Sequence, residues 1–327
     1  MAGANPPVLT LARQAMATRF EIVLPGENAI ALRAAGEEAF DEIERLEAQL
    51  SLYRPTSEVT RLNARAALEP IRVNPALFQF VAHAKRLSEE THGLFDITVA
   101  PLMRCWGLMG GEGRVPEPAE LEAARAVVGM HLVNLDYERH TISFAKAGVM
   151  LDFGAIGKGY AIERAAQLLQ EAGISSALIH GGTSTVYGLG LGPDQEPWKV
   201  AIASPPLGNE AAAEPLAVVP LHNEALSVSA VWGKFFTFEN KTYGHVMDPR
   251  AGAPVSQALL AAVVTPSATE SDALSTALLA GGGTAHEFIA NLRPSLRTLL
   301  VEQGPESSAR TYSRRGIEIR KRGLEGI

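Results

Sequence analysis

The chain carries a glycine-rich turn in which Gly154, Gly157 and Gly159 surround a single lysine, Lys158. Glycine lets a backbone approach a ligand closely, and the helix predicted to follow offers unpaired N–H groups and a positive dipole end. The lysine adds a charge suited to a phosphate, so the turn predicts a site for a phosphate-bearing ligand. A plain strand-to-helix turn with a solvated lysine explains the same residues equally well. The glycine spacing fits neither the G-x-G-x-x-G nor the G-x-x-x-x-G-K-[ST] nucleotide pattern.

A carboxylate and a hydroxyl one helical turn apart form a second candidate site. Asp272 and Thr276 stand at positions i and i+4 of a predicted helix and therefore share one face. Both are hard oxygen ligands of the kind that Mg²⁺ takes, and Mg²⁺ completes its shell with waters and substrate phosphate oxygens. The competing interpretation is helix capping, with Ser271 or Asp272 as the N-cap and Thr276 merely packed.

A third polar segment combines His245, Asp248 and Arg250 with the turn-forming residues Pro249 and Gly252. A rigid turn of this kind can hold a histidine as a general base and an aspartate as a ligand or orienting group. The alternative is a polar surface turn with an Asp–Arg pair, which contributes little to stability.

Two further features suit a planar or phosphorylated ligand. Gly181, Gly182 and Thr183 follow a predicted buried strand, where small residues let a ring or phosphate approach the backbone; a strand-end turn is the alternative. Tyr53 follows a predicted helix and offers an aromatic face for stacking, although a tyrosine packed at a helix end is more common.

Composition bounds the class of protein. The net charge of -7 over 327 residues argues against a nucleic-acid partner, whose affinity comes largely from Lys and Arg neutralising phosphates. Cys105 is the only cysteine and lies among apolar residues, so we expect a buried packing thiol and no disulfide. No apolar run approaches the roughly 18 residues of a membrane span, so no membrane insertion is expected. Residues 1–19 show no export signal, and a cytoplasmic location is expected.

Helical and strand periodicities alternate irregularly along the chain. Strands are predicted at residues 20–24, 131–135, 141–144, 177–180, 199–203, 218–221, 225–229, 235–239 and 259–265. Helices are predicted at residues 29–50, 75–91, 120–128 and 272–280, and one follows the glycine turn and stops at Gly173. This mixture indicates an α+β fold with a largely antiparallel sheet. Residues 205–215 predict a surface excursion, and residues 310–322, with six basic side chains, predict a solvated edge hairpin rather than a partner-binding patch.

Taken together and in order, these segments resemble the ApbE family of FAD:protein FMN transferases. The seven motifs that carry the resemblance are Met16 with Thr18, residues 50–53, residues 93–102 with Trp106 and Gly107, residues 151–161, Gly181 with Gly182, residues 245–252, and residues 272–276. Each motif is weak alone, but their shared order from residue 16 to Gly281 is hard to produce by chance.

The resemblance implies a single α+β domain over residues 1–327, related to the T-fold, with mixed and antiparallel sheets and packed helices. Its core would span about residues 14–302, and residues 303–327 would form a basic tail. The family binds FAD with Mg²⁺, transfers FMN to a threonine or serine hydroxyl of an acceptor protein, and releases AMP.

The resemblance also implies roles for individual residues. Asp272, Thr276 and the backbone carbonyl of Ala155 would hold the metal. The implied FAD-binding residues are Met16, Tyr53, Asp96, Lys158, Gly181, Gly182, Thr183, Ser229, His245 and Asp248. The implied catalytic residues are His245, as the base that deprotonates the acceptor hydroxyl, and Asp248.

Three departures from the family pattern predict a modified flavin pocket. Thr183 stands where the family usually has Asp, residues 228–230 read Val-Ser-Ala instead of Thr-Ser-Gly, and residues 250–252 read Arg-Ala-Gly instead of Arg-Thr-Gly. Two other functions remain open at this stage. Water could attack in place of the acceptor, which would make the protein an FAD pyrophosphatase, or the protein could bind FAD without catalysis.

Overall fold

The computed structural model describes residues 6–205, 215–232, 235–239, 241–304, 309–319 and 325–326. The strands are β1 (Val8–Ala15), β2 (Thr18–Pro25), β3 (Ile71–Arg72), β4 (Val133–Asp136), β5 (Thr141–Phe144), β6 (Ala177–Gly181), β7 (Thr185–Leu189), β8 (Trp198–Ile202), β9 (Ala217–Leu221), β10 (Glu224–Ala230), β11 (Phe235–Phe238), β12 (Lys241–Gly244), β13 (Met247–Asp248), β14 (Ala253–Pro254), β15 (Ala258–Thr265), β16 (Arg297–Gln303), β17 (Ala309–Arg314) and β18 (Glu325–Gly326). The helices are α1 (Ala29–Leu50), α2 (Glu58–Arg65), α3 (Pro75–Glu90), α4 (Ala100–Cys105), α5 (Pro118–Arg125), α6 (Gly157–Glu171) and α7 (Ala268–Ala290).

Nine strands form the main sheet in the order β1-β2-β6-β7-β10-β15-β16-β17-β18. Neighbouring strands pair antiparallel except β17 and β18, which pair parallel. Smaller sheets are formed by β3-β5-β4 and by the pairs β8-β9, β11-β12 and β13-β14. The predicted α+β class with mixed and antiparallel sheets and packed helices is confirmed.

Alternating side chains divide the main sheet into two covered faces. On β2, Phe20, Ile22 and Leu24 are fully buried against the core that also contains the apolar sides of α1, α6 and α7. The opposite face packs on β8 and β9 through a second cluster that includes Trp198 and Leu221. Strand geometry sends successive side chains to opposite faces, so one sheet separates two cores. None of the described helices is long and apolar enough to cross a bilayer.

Most predicted strands coincide with β2, β5, β6, β8, β9, β10, β11 and β15 to within two residues at each end. The helices predicted at residues 29–50 and 75–91 coincide with α1 and α3, where Asn28 and Asn74 accept hydrogen bonds from the first-turn amides. The missed strands are β1, β3, β7, β12, β13, β14, β16 and β18, and the missed helices are α2 and α4. Cys105 is buried, as expected.

Several element boundaries were wrong. The strand predicted at 131–135 begins at Val133, because Met130–Leu132 form a 3₁₀ turn. The helix predicted at 120–128 is α5, which starts earlier because a proline opens it, and which ends at Arg125. The helix predicted at 272–280 starts four residues earlier, at Ala268, and its predicted end lies two residues before Gly282, whose non-helical φ of 59° kinks α7.

The last part of the chain joins the main sheet. Within the predicted basic tail, β17 pairs with β16 from Thr298↔Arg314 to Gln303↔Ala309, so this segment supplies a strand next to the sheet edge. In the predicted surface excursion, residues 206–214 lie outside the described residues.

Candidate functional site

The start of α6 packs directly against the start of α7. A Cβ on Gly159 would lie only 2.2 Å from the carbonyl oxygen of Ala268 and 2.7 Å from Cβ of Asp272, so only glycine fits. The Gly159 amide donates to Oδ2 of Asp272 at 2.9 Å. Ile156, the N-cap residue of α6, has no side-chain acceptor, so a carboxylate from another helix satisfies this orphan amide. The backbone of Gly159 is therefore in close contact with α7 and not with a ligand.

The predicted metal pair lies at the same contact. Asp272 is 4% exposed, and the hydroxyl of Thr276, one helical turn later, donates to the Asp272 carbonyl at 3.3 Å. The N-cap of α7 is Ser267, whose Oγ accepts from the Glu270 amide, so the capping interpretation of Ser271 or Asp272 was wrong. Within the described part of the chain, no group donates to Oδ1 of Asp272, which leaves one carboxylate oxygen available to a cation.

The donor set fits Mg²⁺ better than a transition metal. No group of three or more His, Cys, Asp or Glu side chains suited to a metal occurs among the described residues. A site built on one carboxylate, one hydroxyl and neutral oxygens suits a hard cation that keeps waters and binds substrate phosphates. Ala155 lies half-buried in the turn before α6, four residues ahead of Gly159, and its carbonyl as the third ligand stays a prediction.

The glycine turn is closed by its own polar groups. Lys158 Nζ donates to the Gly154 carbonyl at 3.3 Å, and the Gly154 amide donates to Oδ1 of Asp152 at 2.8 Å. Burial raises the pKa of Asp152, against the opposing effects of the Gly154 hydrogen bond and the Lys158 charge. Asp152 was not among the predicted site residues. Its signal in the sequence is a carboxylate placed directly before a glycine turn.

Tyr53 stands in solvent beside this turn. Its side chain is 74% exposed, so the interpretation of a tyrosine packed at a helix end was wrong. Desolvation and then the nearby charge of Asp152 raise the pKa of Tyr53. The ring therefore stays a neutral phenol at neutral pH and has a face open for stacking.

Two tight turns meet at one end of the main sheet. Met16 and Ala17, which join β1 to β2, adopt left-handed φ angles of 49° and 57°. Gly182, which follows β6, has φ 61° and donates its amide to the Arg19 carbonyl at 2.9 Å. A Cβ on Gly182 would lie 2.4 Å from Oγ1 of Thr18. The start of β2, two residues after Met16, thus lies against the Gly181–Gly182 turn, and the flavin contact of these residues stays a prediction.

A chain of contacts connects these turns to the metal pair. The Val228 amide donates to the Ser184 carbonyl at 2.7 Å, which ties the β6–β7 turn to β10. The next residue, Ser229, places its Oγ 3.2 Å from Oγ1 of Thr276. Thr183 is exposed on the same turn. Sequence reasoning missed His180, which contacts the Gly182 carbonyl through Nδ1 at 3.3 Å and Glu21 through Nε2 at 3.0 Å.

Asp96 is engaged within the protein. It is 8% exposed; its Oδ1 accepts from the amide and hydroxyl of Thr98 at 2.7 and 2.6 Å, and its Oδ2 accepts from the Met130 amide at 3.0 Å. Burial raises its pKa, and these hydrogen bonds oppose the rise. In this structure Asp96 fastens the turn after α3 to the 3₁₀ turn, and its contact with flavin stays a prediction.

The third polar segment reaches α7 through β13. His245 lies half-buried between β12 and β13, and β13 packs against α7. Asp248 accepts from the Arg250 amide at 2.9 Å and pairs with its guanidinium at 3.5 Å, which closes the turn. The Gly252 carbonyl accepts from Nε1 of Trp106 at 2.9 Å, which ties the segment to the residue after α4.

A cavity of about 610 Å³ opens beside this segment. It is lined by Lys85, Ser88, Glu89, His92, Gly93, Asp96, Val128, Gly129, Met130, His131, Pro249 and Arg250. Its walls carry charges of both signs. The turn after Asp248 therefore forms one wall of an open, polar cavity.

The fold and site together define an α+β protein with a candidate cation and phosphate site where two helices meet the end of an antiparallel sheet. The ApbE family model matches residues 16–300. The chain therefore belongs to the ApbE family.

Named relatives and solved structures agree with this assignment. The FAD:protein FMN transferase of Salmonella typhimurium is 29% identical over 286 residues, covering 85% of this chain and 80% of the relative. That of Vibrio cholerae is 29% identical over 313 residues, covering 93% and 92%. The apo form of the flavinyl transferase ApbE from Pseudomonas stutzeri superposes with a TM-score of 0.83 at 27% identity, covering 94% of this chain and 95% of that one. The ApbE protein of Thermotoga maritima superposes with a TM-score of 0.81 at 25% identity, covering 91% and 95%.

Proposed function

We infer that this protein is an FAD:protein FMN transferase. It moves the FMN moiety of FAD onto a threonine or serine hydroxyl of an acceptor protein and releases AMP. The observation that carries the inference is the Asp272–Thr276 pair, held against the glycine turn of α6 in a chain that matches the ApbE family over residues 16–300.

The metal in this proposal is Mg²⁺, held by Asp272, Thr276 and the Ala155 carbonyl. A cation bound there polarises the reacting phosphorus and offsets the charge that develops on the pyrophosphate. Oδ2 of Asp272 is fixed by the Gly159 amide, so the carboxylate keeps its orientation and presents Oδ1. Phosphoryl transfer depends on such positioning more than on covalent steps by the enzyme.

The residues around this pair hold FAD. Lys158 stands at the start of α6, where its charge and the positive end of the helix dipole favour phosphate. Tyr53 stacks on a ring of FAD with its exposed face. The flavin end lies along the turns of Met16 and of residues 181–183, where the hydroxyl of the exposed residue Thr183 replaces the carboxylate usual in the family. Asp96 completes this set from the turn after α3.

His245 takes the proton of the acceptor hydroxyl as that oxygen attacks phosphorus. Asp248 keeps the following turn closed through its bonds to Arg250, which sets the approach of the segment to α7. A histidine suits this role because its ordinary pKa lies near neutral pH. The cytoplasmic location and the lack of a nucleic-acid partner stay predictions from sequence.

The test is to incubate the purified protein with FAD, with and without Mg²⁺ and a threonine-bearing acceptor domain. AMP is followed by chromatography and the acceptor by mass spectrometry. Mg²⁺-dependent AMP with an FMN-sized mass gain on the acceptor is the expected result. AMP with free FMN and no labelling across several acceptor domains would instead identify a pyrophosphatase, and intact bound FAD in every tube would identify a binding protein.

The variant His245→Ala sharpens this test. It should keep FAD affinity, measured by flavin fluorescence, and lose acceptor labelling by orders of magnitude. Loss of FAD affinity with normal residual labelling would show that His245 holds the cofactor and is not the base.

A further inference from the structure

Three hydroxyl groups meet between β10 and α7, next to the predicted metal ligands. Oγ of Ser229 lies 2.8 Å from Oγ of Ser275 and 3.2 Å from Oγ1 of Thr276. Ser275 is fully buried, and Ser229 and Thr276 are half-buried. Residues 228 and 230 are Val and Ala, so Ser229 supplies the one hydroxyl of this tripeptide.

The protons of these hydroxyls have more than one possible arrangement, since each hydroxyl has one proton to donate and two lone pairs to accept. When Ser275 donates to the Asp272 carbonyl at 3.0 Å, it accepts from Ser229, and Ser229 accepts from Thr276. When Thr276 donates to the Asp272 carbonyl at 3.3 Å, Ser229 donates to Ser275 or to Thr276. The Thr276 proton therefore points into the protein, toward Ser229 or the Asp272 carbonyl, and an oxygen lone pair points away from it.

That orientation is what a metal ligand requires, because a cation binds the lone pair of a hydroxyl and is repelled by its proton. We propose that Ser229 is a positioning residue for the divalent cation: its contact with the Thr276 hydroxyl, together with the Asp272 carbonyl, keeps the Thr276 proton inside the protein and so turns the Thr276 oxygen toward the metal. This inference rests on the metal assignment of the proposed function, and it replaces the flavin contact that the family resemblance implies for Ser229. Partners of this kind, one bond beyond the ligands, typically change metal affinity 10–100-fold when removed.

The chain supplies a matched control two residues earlier on the same face of β10. Ser227 donates to Oγ1 of Thr185 at 3.2 Å, and both side chains are fully buried. Its hydroxyl bonds to β7 rather than to α7. Ser227→Ala thus removes the same atom from the same strand without touching the Thr276 network.

The experiment measures Mn²⁺ binding by electron paramagnetic resonance, in the presence of ADP as a pyrophosphate that has no FMN to transfer. Ser229→Ala should raise the Mn²⁺ Kd by roughly 10–100-fold. Ser227→Ala should leave it unchanged, and Ser229→Thr should restore it to within a few-fold of wild type. FAD affinity, measured by fluorescence without a divalent ion, should stay within about two-fold of wild type in Ser229→Ala. Circular dichroism checks that each variant is folded.

Two results overturn the inference and one separates it from the proposed function. If Ser229→Ala binds Mn²⁺ with wild-type affinity, Ser229 does not position the metal ligand. If Ser229→Ala loses FAD affinity without a change in Mn²⁺ affinity, Ser229 is a flavin contact instead. Asp272→Asn provides the separating measurement. If wild type does not bind Mn²⁺, or Asp272→Asn binds it normally, the metal assignment fails and this inference fails with it.

Discussion

Replacing Gly159 with alanine should force α6 away from α7 and disturb Asp272. The new Cβ would start 2.2 Å from the Ala268 carbonyl oxygen, and real Cβ contacts are not shorter than 3.0 Å, so the helices must separate locally by roughly 0.8 Å. The Ala268 carbonyl oxygen is a backbone atom and cannot rotate away as a side chain can. The same movement lengthens the 2.9 Å bond from the Gly159 amide to Asp272.

The expected free-energy change follows from three terms. Overpacking costs about 1–3 kcal/mol, and losing a hydrogen bond to a charged group costs about 1.5–3 kcal/mol. Alanine in place of a helical glycine stabilises the helix by about 1 kcal/mol. The sum predicts that Gly159→Ala lowers the free energy of unfolding by roughly 1.5–5 kcal/mol.

The assay is urea unfolding followed by circular dichroism, with Gly157→Ala as the matched control. A Cβ on Gly157 would meet Cβ of Phe153 at 3.6 Å, which is an ordinary contact. The control should therefore keep its stability within about 1 kcal/mol of wild type. If Gly159→Ala unfolds at the wild-type urea concentration and keeps the wild-type Mg²⁺ dependence of AMP release, the close contact of the two helices does not support the site.

Variants at three further positions test the site and the pH dependence of stability. Asp272→Asn keeps a side-chain oxygen that can accept the hydrogen bond from the Gly159 amide, but it loses the negative charge. Mg²⁺-dependent AMP release should therefore vanish while the circular dichroism spectrum is unchanged. Persistent Mg²⁺ dependence would contradict the role of Asp272 as a metal ligand. Tyr53→Ala removes an exposed stacking face, and titration should show FAD binding roughly 10-fold weaker, about 1.4 kcal/mol, whereas Tyr53→Phe should bind as wild type. Burial, and then the charge of Arg314, lowers the pKa of His286, so the unfolded chain binds the extra proton and stability falls as pH drops below the ordinary value of 6.5. In His286→Gln, the urea midpoint should decrease less as the pH drops below 6.5 than it does in wild type. An unchanged decrease would show that His286 is not the group responsible.

Local patterns were enough to predict most elements and to place two candidate metal ligands on one helix face; their binding of a metal stays a prediction. The i and i+4 spacing of Asp272 and Thr276 fixes a shared helix face without any tertiary information. Strand β1 was missed because it lies at the edge of the main sheet, where most of its side chains are partly or fully exposed. Its sequence therefore shows only a weak alternation of apolar and polar residues. The start of α7 was missed because its N-cap is Ser267, several residues before Ser271 and Asp272, where a cap was considered.

The parts of the site that escaped prediction depend on which elements meet. Nothing near Gly159 in the sequence indicates that its amide bonds to Asp272, because the partner lies on another helix. The engagement of Asp96 with the Met130 amide likewise depends on a turn formed much later in the chain. The role of Ser229 becomes visible only when β10 is placed beside α7. The family motifs named these residues, but only the fold shows what each of them touches.

The topology of the main sheet also governs when this protein becomes competent during its synthesis. Strand β2 pairs through Phe20 with Gly181 on β6, so the β1–β2 hairpin leaves the ribosome long before its neighbour exists. Until then it exposes an unpaired edge and the apolar face of Phe20, Ile22 and Leu24, which is the condition in which nascent chains need protection from aggregation. The site itself waits longer still, until α7 has been made. A ribosome stalled before residue 272 would carry a chain with most of its core and neither of the two side chains proposed to hold the metal, Asp272 and Thr276.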